Sequence, residues 1–303
     1  VELGRECDGV IAIGGGSSMD VAKVAAALLG GTQLLTEMYG VDQVKGARLP
    51  LVLVPTTAGT GSEVTPVAVI TTGETTKAGV SSGVLLPDIA VLDVDLTLGL
   101  PVRMSAMTGI DAMVHAIEAF TSKIKKNPMS DMLAKESLRM MVDALPKVLR
   151  NGQEREARSA MLLGAHLAGQ AFANAPVAAV HALAYPVGGH FHIPHGLSNS
   201  LVLPAVLRFN QPEAAHLYAE LYDCLNANSQ GSVADRSRAF IALMEGMIAD
   251  SGLPTTLKDA GIPQDFLPTL AQDAMLQQRL LINNPREVAH DDVLAIYQRA
   301  YSG

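Results

Sequence analysis

The stretch VIAIGGGSSMDVAKVAAALL at residues 10–29 decides the fold of the first part of this chain. Its apolar run at 10–13 has the character of a buried strand, and the glycines at 14–16 interrupt that run. The alanine- and valine-rich segment at 18–29 then has the composition and spacing of a helix. Strand, glycine-rich loop and helix form the repeating unit of parallel α/β sheets, so the sequence predicts a parallel sheet here.

Apolar runs and small-residue turns continue to alternate up to about residue 100. LVLV at 51–54 ends at the turn PTTAGTGSE at 55–63, and the runs at 64–71 and 89–94 are further strand candidates. A strand at 10–13 that is buried on both faces needs a neighbour on each side. We therefore expect a strand–helix portion to precede the first residue in the natural protein.

The pattern becomes helical after Pro101. Apolar residues then recur at spacings of three and four, and Pro, Gly and Asn separate the segments. We predict an α/β domain at 1–99, N-terminally incomplete, and an all-helical domain at 100–303. The helices are expected near 102–122, 129–150, 154–173, 177–189, 212–225, 232–251, 263–275 and 288–301.

Composition excludes several classes of protein. Hydrophobic residues make up 49% of the 303 residues and charged residues 17%, which is ample for a buried core and excludes a disordered chain. A net charge of -8 argues against nucleic-acid binding. The two cysteines, Cys7 and Cys224, offer neither a disulfide framework nor a thiolate metal site, which favours a reducing, cytoplasmic location. Without a membrane-length apolar run or a signal-peptide pattern, no membrane partner is expected.

Two loops are candidates for binding a phosphate. In GGGS at 14–17, glycines let backbone N–H groups approach an anion at the start of a helix, where the helix dipole also attracts it. The turn at 55–63 follows another strand and places further hydroxyl and N–H donors at the same sheet edge. Met19 stands where the usual dinucleotide fingerprint requires glycine. A tight helix cap and an ordinary Ser/Thr turn are the alternatives, but two such loops together favour a dinucleotide.

Asp111 and His115 are spaced four residues apart in GIDAMVHA at 109–116. On a helix they share one face about one turn apart, so both can reach one metal ion. Because their neighbours are apolar, an unpaired aspartate would be costly there. A buried Asp–His pair without a metal explains the spacing equally well.

Four of the eight histidines lie in VHALAYPVGGHFHIPHG at 180–196. A single histidine on an apolar helix is usually a core residue, but several around Gly-Gly and Pro-His-Gly turns favour metal binding. Aspartate and neutral imidazole suit Fe2+, Zn2+ or another divalent ion. His190 and His192 lack helical spacing to His181, and we interpret both as loop or surface residues.

The motifs together resemble those of the iron-containing, or group III, alcohol dehydrogenases. The matching segments cover nearly the whole chain in the same order, and the Thr–Gly motif and the Asp–His helix are the specific ones. These segments are GGGSSMDVAK at 14–23, PTTAGTGSEVT at 55–65, GIDAMVHAIEAF at 109–120, VHALAYPVGGHFHIPHG at 180–196 and NPR at 284–286.

The resemblance implies a dehydroquinate-synthase-like architecture, with a dinucleotide-binding domain, a helical metal-binding domain and a site in the cleft between them. It also implies a homo-oligomer, expected to be a dimer, and a small alcohol or aldehyde as substrate. The implied cofactors are a divalent metal, Fe2+ first and Zn2+ second, and NAD or NADP. The implied metal ligands are Asp111, His115, His181 and His195, and the implied cofactor-binding residues are Gly15, Gly16, Ser17, Asp20, Thr56, Thr57, Thr60, Thr65, Lys77 and Leu96.

Two positions depart from the family pattern. Tyr185 stands where a second histidine usually follows His181, and Pro176 stands where glycine is common. A phenol is a weaker base than imidazole at neutral pH, so we expect the implied catalytic group Tyr185 to orient substrate or a water rather than relay a proton. The alternatives to an alcohol dehydrogenase are an enzyme like dehydroquinate synthase or glycerol dehydrogenase, or a non-catalytic metal-binding scaffold.

Overall fold

The strand–loop–helix unit predicted around the glycine loop is present in a computed structural model of the chain, which describes residues 1–73, the backbone of residue 77 and residues 78–303. The helix after the first strand is α1 (Gly16–Gly30). The strands are β1 (Val10–Gly14), β2 (Gly40–Val41), β3 (Leu51–Pro55), β4 (Val67–Thr71), β5 (Lys77–Ser81) and β6 (Ile89–Ala90).

The first sheet is parallel, as predicted, with strand order β1-β3-β6. Gly14 at the end of β1 pairs with Pro55 at the end of β3, so the two small-residue loops leave the sheet side by side. Ala12 packs with Leu51, Leu53 and the apolar face of α1. Ile11 and Ile13, on the opposite face of β1, are 71% and 64% exposed, so the expected burial of this strand on both faces is absent from the described chain.

A second sheet, with order β2-β5-β4, replaces the single sheet that the apolar runs suggested. The strand predicted at 64–71 starts later, at Val67, and pairs antiparallel with β5, which the sequence pattern did not reveal. Ser62–Val64, just before it, forms a short 3-10 helix. The reason is local: Gly61 has φ +60, and this left-handed residue turns the chain before β4 can begin.

The rest of the chain is helical, and most predicted helices lie within a few residues of their expected bounds. The helices are α2 (Val102–Thr121), α3 (Pro128–Arg150), α4 (Arg155–Asn174), α5 (Ala179–Phe191), α6 (His195–Leu225), α7 (Val233–Asp250), α8 (Leu267–Met275), α9 (Gln278–Leu281) and α10 (His290–Ser302).

Helix α2 forms the centre of the helical part. Its residues from Ser105 to Thr121 are buried except Thr108, and it packs against α3, α4 and α6 within one large apolar cluster. Polar side chains on a helix this deeply buried need partners, and those partners define the site described below. No helix among the described residues has the length and apolar character needed to cross a bilayer.

Candidate metal and cofactor site

Asp111 and His115 lie on one face of α2, as the spacing of four residues predicts, and are 3% and 5% exposed. Burial opposes ionisation of Asp111, but the neighbouring imidazoles and the amide of Asn199 lower the pKa of its carboxyl below the usual value. Burial lowers the pKa of His115 to about 3. At neutral pH the face therefore carries a carboxylate and a neutral imidazole, the forms that bind a divalent ion.

His181 and His195 reach this face from two other helices. His181 lies in the first turn of α5, and His195 is the first residue of α6. Helix α6 can approach α2 because Gly196 has no side chain: a β-carbon there would collide with the carbonyl oxygen of Met107. This close approach places His195 beside Asp111.

Three acceptor atoms converge at this point. The ligand atoms of Asp111, His181 and His195 lie within 4.8 Å of one another. Oδ1 of Asp111 is 3.6 Å from Nε2 of His195 and 4.0 Å from Nε2 of His181. Ligand bonds of about 2.0–2.2 Å to one divalent ion would draw these atoms closer together, by little for Asp111 and His195 and by more for the wider separations.

The side-chain amide of Asn199, four residues after His195 on α6, lies among the three acceptors. Its Nδ2 is 2.5 Å from Oδ1 of Asp111 and 3.3 Å from Nε2 of both His181 and His195. An amide nitrogen has two hydrogens and cannot satisfy three acceptors. Oδ1 of Asn199 is itself buried, and none of the described residues donates a hydrogen bond to it. The donor set therefore fits a cation better than it fits the amide.

His115, the fourth predicted ligand, lies beside the group of three acceptors. Its ring stacks on His181 with a centroid distance of 4.8 Å and on Phe172 at 4.5 Å. Its Nδ1 is buried and lacks a hydrogen-bond partner within the described part of the chain, which is costly unless another group satisfies it. The structure thus brings three of the four predicted ligands together, and coordination by His115 stays a prediction.

Glu118, which the sequence analysis did not single out, orients His181. The carboxylate is 3% exposed and accepts a hydrogen bond from the backbone N–H of Val180 at 2.6 Å. Its other oxygen is 2.6 Å from Nδ1 of His181. With both oxygens of Glu118 accepting, Nδ1–H of His181 is the donor, and Nε2 keeps its lone pair toward Asp111 and His195. The sequence contains one indication of this role. Glu118 follows Asp111 by seven residues, which is two helical turns and places both side chains on the same face of α2.

We expect Glu118→Gln to weaken metal binding about ten- to a hundredfold. If the amide oxygen keeps the bond to Val180, the amide N–H₂ faces Nδ1 of His181 and favours the tautomer with its proton on Nε2. Isothermal titration of the metal-free protein with Zn2+ measures the change. Glu136→Gln, which alters an exposed glutamate paired with Arg139 on α3, is the matched control. Equal affinity in wild type and Glu118→Gln would contradict the orienting role.

Tyr185 lies one turn after His181 on α5, as predicted, and its ring centroid is 5.8 Å from that of His195. Burial raises the pKa of its phenol, an effect that the positive charge of Arg279 partly offsets. The hydroxyl is therefore protonated at neutral pH and has a proton available for a hydrogen bond; its role in the reaction stays a prediction.

The two candidate phosphate loops lie against each other. Gly15 is the N-cap of α1 and has no side-chain cap, and a β-carbon on it would lie 3.5 Å from Thr57. A β-carbon on Gly16 would lie only 2.7 Å from Cγ2 of Thr60. Oγ1 of Thr57 is buried and has no hydrogen-bond partner among residues 1–73 and 78–303, and Ser17 is exposed in the first turn of α1. Uncapped N–H groups beside an unpaired hydroxyl fit an anionic ligand. Thr56 follows directly after β3, and its N–H donates to the carbonyl oxygen of Gly14.

Asp20 and Thr65 bond to the protein itself. Oδ1 of Asp20 accepts from the hydroxyl of Ser62 at 2.6 Å and Oδ2 from the N–H of Val69 at 3.0 Å. The buried Lys23 donates to Oγ1 of Thr65 at 3.2 Å, and burial lowers the pKa of Lys23 to about 8. These contacts anchor the Thr–Gly loop to α1, a role that the sequence did not reveal. Direct contact of Asp20 and Thr65 with cofactor stays a prediction.

The last two predicted cofactor residues lie further along the chain. The side chain of Lys77 is outside the described residues. Leu96 is 40% exposed on the 3-10 turn Val94–Thr97. Helix α4 holds this segment on both sides, through an ion pair of Arg155 with Asp95 and a 2.9 Å hydrogen bond from Arg158 to the carbonyl oxygen of Leu100.

Two family profiles match the two parts of the chain. The profile of iron-containing alcohol dehydrogenases matches residues 3–94, and that of the C-terminal part of the Fe-containing alcohol dehydrogenase family matches residues 105–301. Long-chain-alcohol dehydrogenase 1 of Geobacillus thermodenitrificans is 42% identical over 300 residues, which are 98% of this chain and 75% of that protein.

Solved structures show the same likeness. The crystal structure of a 1,3-propanediol oxidoreductase superposes with a TM-score of 0.94 at 33% identity, over 98% of this chain and 78% of that one. Sulfoacetaldehyde reductase from Bifidobacterium kashiwanohense, in complex with NAD+, gives a TM-score of 0.88 at 30% identity, over 99% and 78% of the two chains. The chain thus spans about three quarters of these relatives' length.

The matched profiles and the superposed structures together define the class of the protein, the alcohol and aldehyde oxidoreductases. Within that class, the chain belongs to the iron-containing alcohol dehydrogenase family. The resemblance seen in its motifs is confirmed, and the protein is an oxidoreductase that acts on the CH–OH group.

Proposed function

We propose that the protein interconverts a small alcohol and its aldehyde by hydride transfer to and from NAD(H) or NADP(H), at a divalent metal held by Asp111, His181 and His195 with His115 beside them. This proposal rests on one observation. Oδ1 of Asp111 and Nε2 of His181 and His195, all buried or half-buried, converge on the amide nitrogen of Asn199. A bound Fe2+, or Zn2+ as the alternative, supplies Lewis acidity toward the substrate oxygen, and a bound nicotinamide supplies or accepts the hydride.

The side chains around this point have separate tasks. Asp111 contributes the negative charge that holds a cation, and Glu118 keeps the Nε2 lone pair of His181 directed to it. The hydroxyl of Tyr185 would donate a hydrogen bond to substrate or to an ordered water and would not itself carry the proton; a bound cofactor's ribose, together with solvent, would offer the exit for that proton. The apolar surroundings of α2 exclude water and strengthen each of these polar interactions.

The cofactor proposal rests on the two loops. The N–H groups at the start of α1 and the unpaired hydroxyl of Thr57 would receive the pyrophosphate, with Gly15, Gly16 and Ser17 allowing its close approach. The NAD+ complex of the sulfoacetaldehyde reductase supports NAD as the first cofactor to test. Lys77 and Leu96 are proposed to lie near the nicotinamide riboside.

The substrate is proposed to be a short aldehyde or alcohol, as the names of the propanediol and sulfoacetaldehyde enzymes suggest. The homodimer and the cytoplasmic location expected from the sequence stay predictions. A gel-filtration column with light-scattering detection measures the first.

Steady-state absorbance at 340 nm tests the proposed function. Protein incubated anaerobically with Fe2+ should oxidise NADH when a short aldehyde is added, and should reduce NAD when the matching primary alcohol is added. Turnover in both directions excludes a non-catalytic scaffold. Absence of turnover with both metals and both cofactors would contradict the proposal.

Tyr185→Phe is expected to lower kcat about tenfold at most, because only one hydrogen bond is lost. A proton-relay role would cost about a hundredfold or more. The measurement is kcat against pH for Tyr185→Phe and Tyr185→His. A hundredfold loss in the first variant, restored by the second, would overturn the orienting role.

A further inference from the structure

Arg279 lies on α9 at the border between the two parts of the chain. The side-chain amide of Asn283 donates to the carbonyl oxygen of Arg279 at 3.1 Å and to that of Val177 at 2.9 Å. Val177 comes just before α5, the helix that carries His181 and Tyr185, and α9 also packs on α5. The backbone of Arg279 is thus tied to the helix that presents the reactive centre.

The guanidinium of Arg279 reaches from the helical part to the second sheet. A β-carbon placed on Gly79 would lie 3.7 Å from its Nη2 and 3.9 Å from its Nη1. Gly79 is the central residue of β5, so this strand presents bare backbone to both nitrogens. A guanidinium beside a position without a side chain offers two parallel N–H₂ donors to a planar anion.

The positive charge of Arg279 acts electrostatically on the phenol of Tyr185. Its positive charge is the largest influence that lowers the pKa of the Tyr185 phenol against the effect of burial. Among residues 1–73 and 78–303, no ion pair joins a carboxylate to this guanidinium; the ion-paired arginines are Arg48, Arg139, Arg155, Arg208, Arg236 and Arg238. Arg279 is exposed, so its donors are accessible to a ligand.

We propose that Arg279 binds an oxyanion carried by the substrate, so that the preferred substrates are short aldehydes or alcohols with a carboxylate or sulfonate at the far end. This inference rests on the proposed function. A guanidinium fork binds such a group through two parallel hydrogen bonds. The phosphate loops lie at the ends of β1 and β3 in the first sheet, whereas Arg279 faces β5 in the second, which favours substrate over cofactor pyrophosphate as its ligand.

A matched pair of aldehydes tests the proposal. The ratio of kcat/KM for 4-oxobutanoate to kcat/KM for its methyl ester isolates the negative charge, with NADH saturating and Fe2+ loaded. We expect the wild-type ratio to exceed one, and Arg279→Gln to lower it about ten- to a hundredfold, mainly through KM for the acid. Arg279→Lys should retain part of the preference. Arg238→Gln, which removes an exposed arginine of α7, should leave the ratio unchanged.

Gly79→Asp gives a second, independent test, because a carboxylate there would occupy the guanidinium without removing it. A β-carbon fits at this position at ordinary contact distance, so we expect a folded protein with a lowered ratio. A wild-type ratio at or below one would overturn the inference, as would equal losses for acid and ester in Arg279→Gln. A matching rise in the dissociation constant for NADH would assign Arg279 to the cofactor instead.

The two proposals fail in different ways. If the wild-type enzyme turns over the ester with metal and NADH but shows no preference for the acid, only the oxyanion inference is wrong. If neither aldehyde is turned over, the proposed function is wrong and the inference falls with it.

Discussion

Asp111→Asn is expected to abolish metal binding at neutral pH and to lower kcat/KM at least about thousandfold. The carboxylate is the only negatively charged member of the Asp111, His181 and His195 group, and Nε2 of both imidazoles lies within 4.0 Å of its Oδ1. Loss of a metal's Lewis acidity removes several kcal/mol of transition-state stabilisation, and each 1.4 kcal/mol is about tenfold in rate. Metal content by mass spectrometry and kcat/KM for an aldehyde with NADH, measured on one preparation, check both effects.

The matched control for this change is Asp143→Asn, at an exposed position of α3. It makes the same chemical change outside the site and should keep full metal content and activity. Circular dichroism should show that both variants are folded. An Asp111→Asn protein that retains one equivalent of metal and near-normal turnover would contradict the assignment of Asp111 as a ligand.

Gly16→Val is expected to raise the dissociation constant for NADH about ten- to a hundredfold. A β-carbon at Gly16 would lie 2.7 Å from Cγ2 and 2.9 Å from Oγ1 of Thr60, so the side chain forces the two phosphate loops apart and covers the N–H groups at the start of α1. Hydrogen bonds to a charged phosphate are worth about 1.5–3 kcal/mol each. Quenching or enhancement of NADH fluorescence on binding gives the constant directly.

Gly83→Val is the control for this second change. Gly83 lies in the same part of the chain, has an ordinary φ, and would place its β-carbon with nothing within 4 Å. Its NADH affinity should match that of the wild type. If a folded Gly16→Val protein binds NADH as tightly as the wild type, the glycine loop is only a turn.

The fold could be predicted where the pattern in the sequence follows local rules. The spacing of apolar residues was sufficient to predict α2, α3 and α4, because each of these helices buries one or more faces against its neighbours. Helix α6 was predicted only from residue 212 although it begins at His195. Pro204 and Pro212 were the cause: proline normally ends a helix, but here tertiary packing of a mostly buried helix outweighs the lost hydrogen bonds.

The second sheet could not be predicted for a different reason. Its central strand, β5, contains Gly79 and follows the threonine-rich sequence TTGETT at 71–76, so it lacks the apolar run that marked β1 and β3. Strand pairing depends on which distant segments meet, and that information is not local. The same limit applies to Asp20, whose partners Ser62 and Val69 are more than forty residues away.

The residues of the candidate metal site could be predicted from the sequence, but their full geometry could not. The spacing of Asp111 and His115 placed both on one face of α2, and the motif resemblance added His181 and His195. Neither argument revealed that the amide of Asn199 lies among the acceptors or that Glu118 orients His181. Those two contacts join side chains from different helices, and only the packing of α2, α5 and α6 brings them together.

Stoichiometric reconstitution tests the central claim most directly. Protein stripped with a chelator is titrated anaerobically with Fe2+ while NADH oxidation by an aldehyde is followed at 340 nm. We predict no activity in the stripped protein and a linear rise that ends sharply at one equivalent of metal per chain. Full activity without metal, or a rise that does not depend on the metal added, would contradict a metal centre built from Asp111, His181 and His195.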